Sequence, residues 1–67
     1  MDYSLNLELE IDKGNWALIA SCAIKSGKHK GRSVNKVKFE LRARVKELKT
    51  LGLSLPEIAR MVSEWMA

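Results

Sequence analysis

The sequence predicts a small α+β domain: an N-terminal β-strand, extendable to a β-hairpin over residues 3–24, then two amphipathic helices at about 34–51 and 55–66. Three observations predict it. Residues 3–12 alternate apolar and polar side chains without a break, the segment after Ser33 spaces its apolar residues as a helix does, and Gly52 with Ser54 ends one helix and opens another.

The strand comes first. Tyr3, Leu5, Leu7, Leu9 and Ile11 are apolar, and Ser4, Asn6, Glu8, Glu10 and Asp12 between them are polar. Period two marks a half-buried strand. Asp12-Lys13-Gly14-Asn15 is a turn signal, with Gly14 free to take a positive φ. The run Trp16–Ile24 then has two readings. As a second strand it sets Trp16, Leu18, Ala20, Cys22 and Ile24 opposite Ile11, Leu9, Leu7, Leu5 and Tyr3; as a helix begun at Asn15 it buries Trp16, Ile19, Ala20 and Ala23. The turn chemistry favours the hairpin, and the alanines favour the helix.

Ser26-Gly27-Lys28-His29-Lys30-Gly31-Arg32 reads as a flexible basic loop. Ser33 then caps a helix running to about Leu51, with Val34, Val37, Leu41, Val45 and Leu48 on one face. Beside that face runs a stripe of Lys38, Arg42, Lys46 and Lys49, and Glu40 stands one turn before Arg44, at pairing distance. Phe39 falls off the apolar stripe, which marks a second packing surface or an exposed contact residue. Gly52 is a C-terminal stop. Ser54 and Glu57 form a capping box, Leu53 can staple onto Ile58, and Ile58, Met61, Val62 and Trp65 make the buried stripe of the last helix.

A chain of 67 residues is one domain, and at this size it gains stability from a disulfide, a metal or a partner subunit. Cys22 is the sole cysteine, and Cys22 with His29 falls short of the roughly four ligands of a structural zinc site. A compact apolar core or self-association remains, and self-association, with a homodimer as the expected form, is favoured. The first twelve residues carry Asp2, Glu8, Glu10 and Asp12 and no base, unlike a signal peptide, and one unpaired cysteine suits a reducing compartment. The apolar run at Trp16–Ile24 falls well short of the roughly 20 residues of a membrane span. The expectation is a cytoplasmic protein with no membrane partner.

The net charge of +4 is unevenly spread. Lys25, Lys28, Lys30, Arg32, Lys36, Lys38, Arg42, Arg44, Lys46 and Lys49 crowd the middle of the chain against Glu40 and Glu47, while the start is acidic. Such asymmetry points to a polyanion-binding surface, although a basic segment is also an ordinary solvated face. The candidate nucleic-acid contacts are Lys28, Lys30, Arg32, Lys36, Lys38, Arg42, Lys46 and Lys49. Arg32, at a helix start, can make a bidentate contact with phosphate or guanine.

Gly31-Arg32-Ser33-Val34-Asn35, opening a helix after an alternating strand, resembles the start of the second helix in ribbon–helix–helix repressors of the Arc type. The resemblance implies a strand Leu5–Ile11 paired with its twin in a dimer, helices Asn15–Lys25 and Ser33–Leu51, and sequence-specific DNA binding by the ribbon. The ribbon positions facing DNA would be Asn6, Glu8 and Glu10, of which two are carboxylates, and the loop between the helices is longer than that family's turn. Separately, Leu51-Gly52-Leu53-Ser54-Leu55-Pro56-Glu57-Ile58-Ala59 resembles the entry to helix-turn-helix motifs of recombinases and regulators. There, Ala59 is the small residue between helices. The residues after it are too few for a recognition helix, and an ordinary helical hairpin with good caps is the other reading.

No catalytic residues, cofactor or metal are expected. His29 has no carboxylate near it in sequence to orient it for acid–base work, and reads as a solvated loop residue within reach of phosphate. Cys22 reads as a small buried residue, Glu8 and Glu10 as a solvated strand face, and Met61 and Met66 as fillers. The loop Gly27–Gly31 lacks the spacing of a phosphate-binding P-loop. Two functions follow. The first is a small non-enzymatic DNA-binding protein, a transcriptional regulator or repressor that contacts DNA, in preference to RNA, through a basic loop and helix. The alternative is a small inhibitor or adaptor acting on a partner protein.

Overall fold

The computed structural model describes residues 6–67. Four helices follow one another: α1 (Leu7–Lys13), α2 (Trp16–Ala23), α3 (Val34–Thr50) and α4 (Leu55–Met66), with a short 3₁₀ turn at Gly27–His29 between α2 and α3. No strand is present among the described residues, so the α+β expectation is corrected to an all-helical one.

The predicted strand fails over the residues of α1, and the reason lies in its ends. The Asn6 side chain accepts a hydrogen bond from the Leu9 backbone N–H at 3.1 Å, satisfying a donor that a helix start leaves unpaired. Glu8 and Glu10 sit in the first turn and Lys13 in the last, each matched to the helix dipole. Gly14, at φ 73°, closes the helix in the left-handed conformation. Leu7 and Ile11 satisfy both periods at once, being two alternations apart and also one helical turn apart. Ile11 is buried and Leu7 half-buried, whereas Leu9, in register only for a strand, is left 48% exposed. Tyr3 and Leu5, the start of the predicted strand, lie outside the described residues.

The hairpin over 3–24 falls with it. Residues 16–23 adopt the helical alternative and bury Ile19, Ala20 and Ala23, with Trp16 packed at the edge of the core. Asn15 stands at the start of α2, but its side chain makes no capping bond there and instead donates to the Glu10 carboxylate at 2.9 Å, tying α2 to α1. Its alanines let α2 lie close against α3. The two helices run antiparallel: Ala20 and Ala23 meet Val37 near the start of α3, and Trp16 reaches the second half.

Helices α3 and α4 match expectation within a residue or so. Val37, Leu41, Val45 and Leu48 are the buried stripe of α3; Ile58, Ala59 and Val62 are that of α4, with Met61 and Trp65 packed on the same core. Helix α1 packs chiefly on α4 and α2 chiefly on α3. Ile11, Ile19, Leu41, Val45, Leu48, Ile58, Ala59 and Val62 form one continuous core. Each large side chain there contributes about 1.5–3 kcal/mol by leaving water.

The junction of α3 and α4 is built locally. The Leu53 backbone N–H donates back to the Leu48 carbonyl at 3.3 Å around Gly52, whose φ is 86°. The Glu57 carboxylate accepts from the Ser54 backbone N–H at 3.1 Å and from its hydroxyl at 2.8 Å. These bonds, the backbone one foremost, hold the Glu57 carboxyl below its ordinary range. A carboxyl depressed in the folded state contributes stability that is full above the ordinary carboxylate range and lost as pH falls through the folded-state value. Thermal melts on acidification should therefore show a loss of stability that is shallower in Glu57→Gln. Superimposable acid limbs for the two proteins would contradict this role for the cap.

Candidate nucleic-acid interface

Helix α3 carries the candidate surface. At 3.6 residues per turn, Lys38, Arg42, Lys46 and Lys49 fall on the flank next to the buried stripe, over about 16 Å of helix. Glu40, Arg44 and Glu47 fall on the other flank. The ion pairs of the described residues are Lys13–Glu10, Arg32–Glu40, Arg44–Glu47 and Arg60–Glu64, so none of the four stripe cations is matched by a carboxylate among those residues. Arg42, Lys46 and Lys49 are exposed; Lys38, nearer the core, is half-buried, as an amphipathic stem allows.

An open groove of about 440 Å³ lies along this flank, lined by Trp16 of α2 and by Phe39, Arg42, Ala43, Lys46 and Lys49 of α3. Phe39 is 74% exposed. Phe39 is thus not packed against the described residues.

The remaining candidates go elsewhere. Arg32 is committed within the molecule. Its guanidinium donates to both oxygens of Glu40, at 3.1 and 2.6 Å, and to Nδ1 of His29 at 2.9 Å. Arg32 thus holds the Glu40 carboxyl below its usual range, chiefly by hydrogen bonding, and Lys36 adds a weaker electrostatic pull in the same direction. The expected Glu40–Arg44 pair is corrected accordingly: Glu40 takes Arg32, and Arg44 pairs with Glu47 at 2.9 Å. Lys28 and Lys30 are exposed on the 3₁₀ turn and do not line the groove.

That turn is not the loose loop its glycines suggest. His29 is 8% exposed, and its ring lies 4.2 Å from that of Trp65. Arginine only donates hydrogen bonds, so His29 Nδ1 accepts from Arg32 and Nε2 donates to the Trp65 carbonyl at 2.9 Å. Gly27, at φ 82°, lies so close to the end of α4 that a β-carbon there would stand 2.6 Å from the Met66 carbonyl oxygen. The expectation of a solvated His29 is therefore corrected: it is the pin between the turn, the start of α3 and the end of α4. Its partner Trp65 is 36 residues away, beyond any local sequence signal.

No family model, curated protein or solved structure matches the chain.

Chemistry is sparse elsewhere. Cys22 is half-buried and free. Among the described residues, no group of three or more His, Cys, Asp or Glu is placed to hold a metal ion, and no helix is long and apolar enough to cross a membrane. The strand that the ribbon–helix–helix resemblance implies is replaced over residues 7–13 by α1, and Ser33 precedes α3 without a side-chain capping bond. Helices α3 and α4 are joined by a short turn, α4 opens on a capping box, and Ala59 is buried.

Proposed function

We propose that the protein is a small non-enzymatic DNA-binding protein acting in transcriptional regulation, and that it meets DNA with the exposed flank of α3. One observation carries the reading: among the described residues, four cations on a single helix flank have no carboxylate paired with them. Ten basic residues crowd the middle of the chain, yet the molecule neutralises Arg32 and Arg44 with its own carboxylates and leaves this flank positive. Duplex DNA carries one charge per roughly 3.4 Å of each strand, so about 16 Å of helix spans several phosphates. Such contacts give affinity with little sequence preference and a steep dependence on salt.

Self-association is part of the proposal, since it would bring two such flanks to one duplex. Leu9, Leu18 and Leu51 offer exposed apolar surface for it. Fluorescence titration of mixed-sequence duplex DNA should show binding that weakens by at least tenfold between about 50 and 200 mM salt. Absence of binding at the lower salt would end the reading. Light scattering at the same protein concentration reads the oligomeric state.

The exposed Phe39 supports a second reading, an inhibitor or adaptor for a partner protein, because exposed aromatics anchor protein interfaces. That reading predicts a partner in lysate pull-downs that survives nuclease treatment.

A further inference from the structure

The groove on α3 is more than a row of cations. Phe39 stands 74% exposed in it, and Trp16 of α2 lines it together with Arg42, Lys46 and Lys49. Phosphate contacts alone need no aromatic side chain. An apolar segment of a protein would strip water from the surrounding cations without pairing them, which is costly. The occupant must therefore present a flat apolar face and negative charge within a short distance. A nucleotide does so within one residue. In a duplex the flat faces are hidden in the base stack, so only an unpaired base offers one.

We infer that this groove holds an unpaired nucleotide of a DNA strand, its base stacked on Phe39 and its flanking phosphates held by Arg42, Lys46 and Lys49. Two further features fit. Ala43, one turn after Phe39, is small and exposed. Glu40 and Glu47 line a separate hollow with Arg44 and Trp65, on the other side of Ala43, so among the described residues no carboxylate lines the groove itself. The inference rests on the DNA-binding reading and adds a preference for unpaired strands.

An abasic strand separates base from phosphate. Anisotropy titrations would compare a labelled single strand of about 12 nucleotides, an abasic strand of the same length, the matching duplex and poly-glutamate, each with the native protein and with Phe39→Ala. The variant loses an exposed side chain, and far-UV circular dichroism confirms its fold. The native protein should bind the single strand at least about fivefold more tightly than the abasic strand, as one stacked base provides. Phe39→Ala should erase that margin and leave the abasic affinity and the salt dependence unchanged. Equal binding of the two strands, or a margin that survives Phe39→Ala, overturns the inference; duplex and abasic binding at low salt would then leave the DNA-binding reading intact. Poly-glutamate binding that matches the single strand and also depends on Phe39 overturns it in favour of an acidic protein partner. No binding to any DNA at low salt overturns both.

Discussion

Replacing Arg42, Lys46 and Lys49 together by glutamine should reduce duplex affinity about 500-fold at roughly 0.1 M salt and leave the fold intact. The estimate follows from counterion release. Each phosphate contact contributes a slope of about 0.9 in log affinity against log salt, so three contacts amount to about 2.7 decades between roughly 1 M and 0.1 M. The slope itself should flatten by the same 2.7, which a nonspecific loss of folding would not produce. Stability should barely move. All three side chains are exposed, none is paired with a carboxylate among the described residues, and glutamine matches lysine and arginine in helix propensity. A control comes from the same helix: Lys36→Gln should change affinity little, because Lys36 lies on the Glu40 side. If the triple variant binds with unchanged slope, the flank is not where DNA docks.

The contrast between Lys36 and Lys49 could not be read from charge counting. Eight basic residues were candidates, and the fold divides them among three places: the α3 flank, the carboxylate of Glu40 and the 3₁₀ turn. The flank itself was legible, because helix periodicity places Lys38, Arg42, Lys46 and Lys49 together whatever else the chain does. Helices α3 and α4 were legible for the same reason, reinforced by Gly52 and the Ser54–Glu57 cap. The start was not. Leu7 and Ile11 fit a strand and a helix equally, and alternation over ten residues outweighed weaker signals: an Asn at one end, a Gly at the other, and a run rich in Glu and poor in β-branched residues. The two readings of Trp16–Ile24 were decided by packing against α3, where Ala20 and Ala23 fit beside Val37. Arg32 was read as free for a ligand because its acid lies eight residues on, across the helix start, where no spacing rule applies.

His29 was the least legible residue, and its removal should have a large effect on stability. His29→Ala should destabilise the protein by about 3 kcal/mol. The loss combines a cavity against the Trp65 ring with a carbonyl of Trp65 left without its donor, each worth about 1–3 kcal/mol. For a domain of this size total stability is about 3–10 kcal/mol, so the variant would stand near the edge of folding. The damage should be graded by chemistry. Glutamine at position 29 offers an amide N–H to the Trp65 carbonyl and an oxygen to Arg32, so His29→Gln should recover part of the loss. His29→Leu fills space but offers neither, and should fall between alanine and glutamine. Urea unfolding followed by circular dichroism ranks the three. An order of alanine, leucine and glutamine from least to most stable supports a pin made of both packing and hydrogen bonds; leucine as stable as native would reduce it to packing alone. Because Phe39, Arg42, Lys46 and Lys49 all sit on α3, whose core stripe does not include His29, His29→Gln should keep its DNA affinity while losing stability. That separation tests whether the turn with Lys28 and Lys30 only braces the molecule or also touches the ligand: a matching loss of affinity would bring those lysines back into the interface.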